Sequence, residues 1–234
     1  MNILAIDTSS LNATVALLSD EKLIGEYTIS NKKTHSQVIM PMICDLLEKC
    51  SLKIDDIDVF ATGIGPGSFT GLRIGIATAK ALCQAKNKKI IAVSSLMSLA
   101  QNVWESDKII CPIIDARRGD VYNALYKNGK CQKQDRAINL DELLEELKGK
   151  DTLFLGDGVI AYKDTIKEKM GDNAYFADVS KMLSKASGIA SVAYKRAQNN
   201  DFDDYHTVLP IYLRSCQAER EYNERVKEIQ IKEN

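Results

Sequence analysis

Residues 5–18, AIDTSSLNATVALL, and residues 113–126, IIDARRGDVYNALY, follow one pattern. Each begins in an apolar run that ends on an acid, Asp7 or Asp115. Each then crosses a short polar turn, TSSLN or ARRGD, and resumes as an apolar run. Apolar runs separated by turn formers are the signature of buried strands joined in a hairpin. Its recurrence about a hundred residues later points to an internal duplication.

Working outward from the first copy, NILAID, ATVALLSD and EKLIGEYTI read as three successive strands in an antiparallel meander. The run HSQVIMPMICDLLEKC follows, with Val38, Ile39, Met42, Ile43, Leu46 and Leu47 at helical spacing. Pro41 inside it predicts a kink or a later start. DVFATG reads as a fourth strand, residues 68–85 as a helix, KIIAVSS as a fifth strand and SLMSLAQNVW as a further helix. After a polar break at 105–108 the pattern restarts. KIICPIIDA is a strand, VYNALYKNGKC a hairpin, NLDELLEELKGK a helix and TLFLGDG a strand ending in glycines. Residues 181–198 read as one amphipathic helix, 199–214 as irregular, and the charged tail as helical at its start. Three strands, helix, strand, helix, strand is the order of a ribonuclease H-like unit. The expectation is an α/β fold of two tandem ribonuclease H-like lobes, 1–105 and 106–234, in the actin-like ATPase (ASKHA) architecture. In that architecture a nucleotide can lie between the lobes.

Composition narrows the classes of function. Of 234 residues, 45% are hydrophobic, enough for a sizeable core. Lys and Arg number 31 against 32 Asp and Glu, a net charge of −1, so no global field steers the chain to nucleic acid or membrane. The basic clusters Lys32-Lys33, Lys86–Lys89 and Arg117-Arg118 are short and read as solvated surface. Six cysteines without a Cys-x-x-Cys pair read as reduced, buried thiols, and with no signal-peptide core the expectation is a cytoplasmic protein.

GIGPGSFTGLRIG, residues 63–75, carries five of the 13 glycines and admits two readings. As an anion loop it would bring Gly65, Gly67, Ser68 and Arg73 to a phosphate at a helix start. It lacks the Gly-Lys-Ser/Thr ending of a Walker loop. As a packing device it offers Gly67, Gly71, Gly75 and Ala79, one every four residues, as a strip without bulk. Helical glycine costs up to about 1 kcal/mol against Ala, so the strip needs a close neighbour, inside the lobe or across a subunit interface. Asp7, Thr8 and Ser9 are likewise either an ordinary turn or nucleotide-side residues that arrange a phosphate. His35 has Ile39, not histidine, one helical turn on, so the expectation is that no residues bind metal.

IDTSS, THSQ…MP, GIGPGSFTGLRIG, DARRGDVY and LPIYLR, in that order, resemble the TsaB (YeaZ) family of bacterial tRNA threonylcarbamoyladenosine biosynthesis over residues 3–214. The resemblance implies a paralogue of TsaD, the subunit that carries a His-x-x-x-His metal site and transfers threonylcarbamoyl to adenosine beside the anticodon. It implies no catalytic residue in this chain, whose role is then to bind and support TsaD. The expected partners are TsaD, the small ATPase TsaE and a second copy of the chain. tRNA is met only indirectly, no membrane is engaged, and ATP or ADP is expected only at the interface of the complex. It also places the docking interface on the two helices of the first lobe, through His35, Val38, Ile39, Met42, Ile43, Leu46, Gly71, Leu72, Gly75 and Ala79. The rival expectation is a stand-alone actin-like ATPase or small-molecule kinase.

Overall fold

The computed structural model describes residues 1–30 and 34–214. Lys32-Lys33, Cys216 and the charged tail lie outside the described residues.

The first strands are β1 (Asn2–Asp7), β2 (Ala13–Ser19) and β3 (Lys22–Ile29), followed by α1 (His35–Lys49), β4 (Val59–Gly63), α2 (Phe69–Lys86) and β5 (Lys89–Val93). They form one sheet in the order β3-β2-β1-β4-β5, antiparallel across the meander and parallel from β1 through β5. α3 (Ser95–Gln101) leads to β6 (Ile109–Asp115), β7 (Asp120–Lys127), β8 (Lys130–Asn139), α4 (Leu140–Leu147), β9 (Thr152–Leu155), α5 (Asp157–Met170) and β10 (Ala174–Phe176). The second sheet runs β8-β7-β6-β9-β10, the same order with the same sense. The duplication is therefore real at the level of topology, and the chain is a pair of ribonuclease H-like lobes in the actin-like arrangement.

Period-two alternation gives each sheet two apolar faces. In the first lobe Leu4, Ile6, Val15, Leu17 and Phe60 meet α1 and α2, while Ile3, Ala5, Ala16, Val59 and Ile91 face the other way. That second face is covered by α7 (Ala186–Gln198), through Ile189, Ala190 and Ala193. In the second lobe Cys111, Ile113 and Phe154 meet α4 and α5, and the opposite face is covered by Leu96, Leu99 and Ala100 of α3. The halves thus exchange helices: α3 precedes the second sheet and covers it, whereas α7 follows the second sheet and covers the first. A boundary at 105/106 falls between the two sheets, with α3 before it covering the second sheet and α7 after it covering the first. α3 and α7 pack directly on each other, and Gly188 lies so close to the Ser98 carbonyl that a side chain there would collide with it.

Local readings hold with instructive exceptions. α1 starts at His35 and runs through Pro41, capped by Thr34 with Gln37 in a reciprocal capping box. Residues 181–198 are not one helix: a short α6 (Val179–Met182) and α7 are separated by an extended stretch. α5 has only Gly158, Val159, Ile166 and Met170 buried, and its N-cap Gly156 makes no side-chain cap bond. Two cysteines expected to be buried, Cys44 and Cys131, are exposed, and the described cysteines are all free thiols. Lys86, in the basic cluster, pairs with Asp55 at 2.7 Å. No helix among the described residues is long and apolar enough to cross a membrane.

Candidate functional site

The candidate site gathers at the end of β1, where the β1–β2 turn meets the glycine loop. Asp7 ends β1 and is 1% exposed. Its Oδ1 accepts the Ser9 N–H at 2.8 Å, an Asx turn closed by its own strand end. Asp115 ends β6 in the same way, its Oδ1 accepting the Arg117 N–H at 2.8 Å. The two acids matched in sequence are matched in hydrogen bonding. They differ in burial. Asp115 keeps 19% of its side chain exposed, faces the Arg117 guanidinium at 3.4 Å and receives the Tyr162 hydroxyl at 3.0 Å. Asp7 is sealed: its Oδ2 and the Ser9 hydroxyl have no hydrogen-bond partner. Burial pushes the Asp7 carboxyl above the usual carboxylate range, while the neighbouring Ser9 and Ser184 hydroxyls, the Ser9 N–H and His35 oppose that shift without cancelling it.

The glycine loop does the sealing. Ser68 donates its N–H to the Ser9 carbonyl at 2.7 Å, and Thr8 donates its hydroxyl to the Gly71 carbonyl at 2.7 Å. Ser68 is also the N-cap of α2, accepting the Gly71 N–H at 3.2 Å. A Cβ on Gly67 would collide with the Ser9 carbonyl, and one on Gly71 with the Thr8 carbonyl. On Gly75 it would stand 2.5 Å from the Thr8 hydroxyl, and on Gly63 2.7 Å from the Asp7 carboxylate. The close neighbour of the small-residue strip is therefore the chain's own β1–β2 turn. Gly65, at φ 114°, turns the loop in a backbone region that disfavours any side chain.

Tested as a phosphate cradle, the first-lobe residues do not fit. The N–H groups of Ser68 and Gly71 already have partners, and Asp7 lies beneath the loop. Arg73 is exposed and turned away, with its guanidinium 4.0 Å from the Phe69 ring centroid and its Nε donating to the Tyr212 hydroxyl at 3.0 Å. His35 is half-buried and its Nε2 lies 3.1 Å from the Ser10 carbonyl. Ile39 is 1% exposed, an apolar core residue where a second histidine would stand. Among the described residues no three His, Cys, Asp or Glu side chains converge as a metal site.

The expected interface residues fall elsewhere. Val38, Ile39, Met42, Ile43, Leu46, Leu72 and Ala79 are buried in the first lobe's own core, and Gly71 and Gly75 are buried beside the β1–β2 turn. In this fold they have no surface to give a partner, and of the expected set only His35 is partly open. The residues of the same helices that face solvent include Met40, Pro41 and Cys44 on α1 and Ala77 and Ala81 on α2, set among polar neighbours such as Asp45, Glu48, Arg73 and Gln84.

A family model described as TsaD, tRNA N6-adenosine threonylcarbamoyltransferase, matches residues 22–222. The tRNA threonylcarbamoyladenosine biosynthesis protein TsaB of Bacillus subtilis is 38% identical, with 97% of this chain and all of that protein covered. The chain belongs to the TsaB family. The Escherichia coli TsaB is 32% identical over 92% of this chain and 95% of its own length. A solved YeaZ from Pseudomonas aeruginosa superposes with a TM-score of 0.74 at 28% identity, covering 91% of this chain and 99% of that one. The fold extends further: an activator of 2-hydroxyisocaproyl-CoA dehydratase from Clostridium difficile aligns with a TM-score of 0.54 at 12% identity, over 86% of this chain and 97% of that one. Sequence reasoning found the residues of the β1–β2 turn and the loop. It missed Asp157, whose Oδ1 accepts the Asp115 N–H at 3.1 Å. The GDG at the end of β9 was a visible signal for it.

Proposed function

We propose that this TsaB-family chain is a non-catalytic, cytoplasmic partner subunit of TsaD in tRNA threonylcarbamoyladenosine biosynthesis. The observation that carries the reading is the closure of the glycine loop on the Thr8–Ser9 turn. That closure satisfies, with contacts to the chain's own turn, a loop that an actin-like ATPase would turn towards phosphate. The core position of Ile39 supports it as well, since the residue one turn after His35 packs in the lobe. TsaD docks on the solvent face of α1 and α2, around Met40, Ala77 and Ala81, in place of the buried side chains of the same helices. Small and apolar residues on adjoining helices let a partner helix approach closely. In the absence of TsaD the same face pairs two copies of the chain, and TsaE completes the larger complex. Any ATP or ADP lies at the junction with TsaD, and tRNA is met only through the complex.

Co-purification tests the proposal. Wild type should bring TsaD with it in defined stoichiometry, and Ala77→Arg with Ala81→Arg should lose TsaD while keeping the wild-type melting temperature. A wild-type chain that leaves TsaD behind overturns the proposal. Magnesium-dependent ATP turnover by the isolated chain, abolished by Asp7→Ala, would instead establish the stand-alone ATPase or kinase reading.

A further inference from the structure

The last described segment joins the first sheet at a single bridge, Asp203 against Ile90, runs outside both sheets from there, and touches both lobes. It begins on the first lobe, where Asp203 donates its N–H to the Ile90 carbonyl at 3.0 Å and accepts the Ala92 N–H on Oδ2 at 2.7 Å. Arg196 of α7 holds the same carboxylate at 3.1 Å. Val208 enters the first-lobe core at 6% exposure, and Lys80 of α2 donates to its carbonyl at 3.0 Å. Ile211 then donates its N–H to the Ile64 carbonyl at 2.7 Å. Its own carbonyl oxygen lies 2.6 Å from where a Cβ on Gly65 would stand. Tyr212 stacks on Phe69 at 4.6 Å and 25°. Two residues later the segment has crossed to the second lobe. Arg214 donates to the carbonyl of Ala116, in the turn between β6 and β7, at 3.0 Å and pairs with Asp120, the first residue of β7, at 3.0 Å. Its side chain is 22% exposed and that of Asp120 30%, so the pair is partly desolvated.

The two points joined both bear on the paired acids. One is the glycine loop that follows β4 and seals Asp7; the other is the turn that follows Asp115. We infer that residues 203–214 form a clasp that fixes the separation of the two lobes, with Arg214 as its detachable end. The first-lobe anchor is built of backbone bonds, a buried valine and a stacked ring pair, so it is the permanent end. The second-lobe anchor is one guanidinium on a carbonyl and a carboxylate, a contact that a competing anion or a partner's acid could displace. While it is made, the lobes hold one spacing. When it breaks, the lobes remain joined by the α3–α7 contact, the Ser95 N–H on the Gly65 carbonyl and Asn12 on the Ser184 carbonyl, and their spacing loosens about these links. The inference rests on this chain's own contacts and stands or falls apart from docking to TsaD.

The native cysteines supply the measurement. Cys44 on α1 and Cys131 on β8 are exposed, one per lobe, and Cys83 and Cys111 are buried. With Cys50→Ser and Cys216→Ser as background, nitroxides on Cys44 and Cys131 report the lobe separation by pulsed electron resonance on the full chain. Arg214→Ala and Asp120→Asn should each broaden the distance distribution and shift its mean, and the double variant should add nothing further. Tyr212→Ala, which loosens the permanent end, should broaden it too. Melting temperatures within a few degrees of the background variant separate this outcome from general destabilisation. A distribution unchanged in Arg214→Ala and Asp120→Asn overturns the clasp.

Discussion

Gly71→Ala distinguishes a strip that packs within the lobe from one that meets a partner. The added methyl would meet the Thr8 carbonyl oxygen, a backbone atom in a buried turn that cannot swing aside as a side-chain tip can. Either α2 retreats from β1 or the β1–β2 turn deforms, and overpacking of this kind costs about 1–3 kcal/mol. Retreat also stretches the bond from the Thr8 hydroxyl to the Gly71 carbonyl at 2.7 Å, adding about 1 kcal/mol. Alanine returns up to about 1 kcal/mol of helix propensity. The net expectation is a loss of about 1–3 kcal/mol, or roughly 2–12 °C in melting temperature for a chain of this size. Calorimetry and urea denaturation measure it, with Ala77→Gly on the exposed face of α2 as a control for propensity alone. If Gly71→Ala melts with wild type yet no longer retains TsaD, the assignment of the strip to intramolecular packing is wrong.

Two further predictions concern the buried groups. Asp7 has its carboxyl pushed up by burial, so the folded chain binds that proton more tightly than the unfolded chain. Its contribution to stability therefore falls as pH rises from the ordinary carboxylate value, about 3.9, through the raised folded value. Asp7→Asn, which keeps an oxygen for the Ser9 N–H, should remove that part of the slope and raise the urea midpoint at neutral pH. An identical pH profile in the variant refutes the buried charge. Asp135 and Asp157 are raised by burial as well and leave a residual slope of the same sign. Ile39→His should cost about 2–4 kcal/mol by placing an imidazole in an apolar core. It should gain no zinc affinity in a direct titration, and a stable zinc-binding variant would show that Ile39 is not held in the core.

The sequence made the order of elements legible because strand alternation and helical spacing are local. The six buried positions of α1, from Val38 to Leu47, are the ones its periodicity marks. Periodicity says that a face is covered and is silent on what covers it. Val38, Ile39 and Met42 could therefore be read as a partner surface when they meet their own sheet. For the same reason the local pattern of α7 places it with the lobe it follows and not with the lobe it covers. The strip Gly67–Gly71–Gly75 announced a close approach, but a turn of the same chain and a helix of another protein leave the same mark. α5 went unread because four buried residues in a charged stretch make a weak stripe. The paired acids were legible because each ends an apolar strand. Their difference in burial was not, since it depends on a loop some sixty residues away.

The exchange of α3 and α7 between the halves bears on how the chain is made. A ribosome delivers β1 to β5 first, but the face carrying Ile3, Ala5, Val59 and Ile91 stays bare until α7 emerges. At about 5–20 residues per second, the interval from β5 to α7 lasts roughly 5–20 s. During that time the nascent first lobe shows water, or a chaperone, one unfinished apolar wall. Its own sequence cannot close that wall. An expression fragment ending after β5 would be caught permanently at that stage, and a nonsense mutation anywhere between β5 and α7 would leave a sticky product in place of a smaller working lobe.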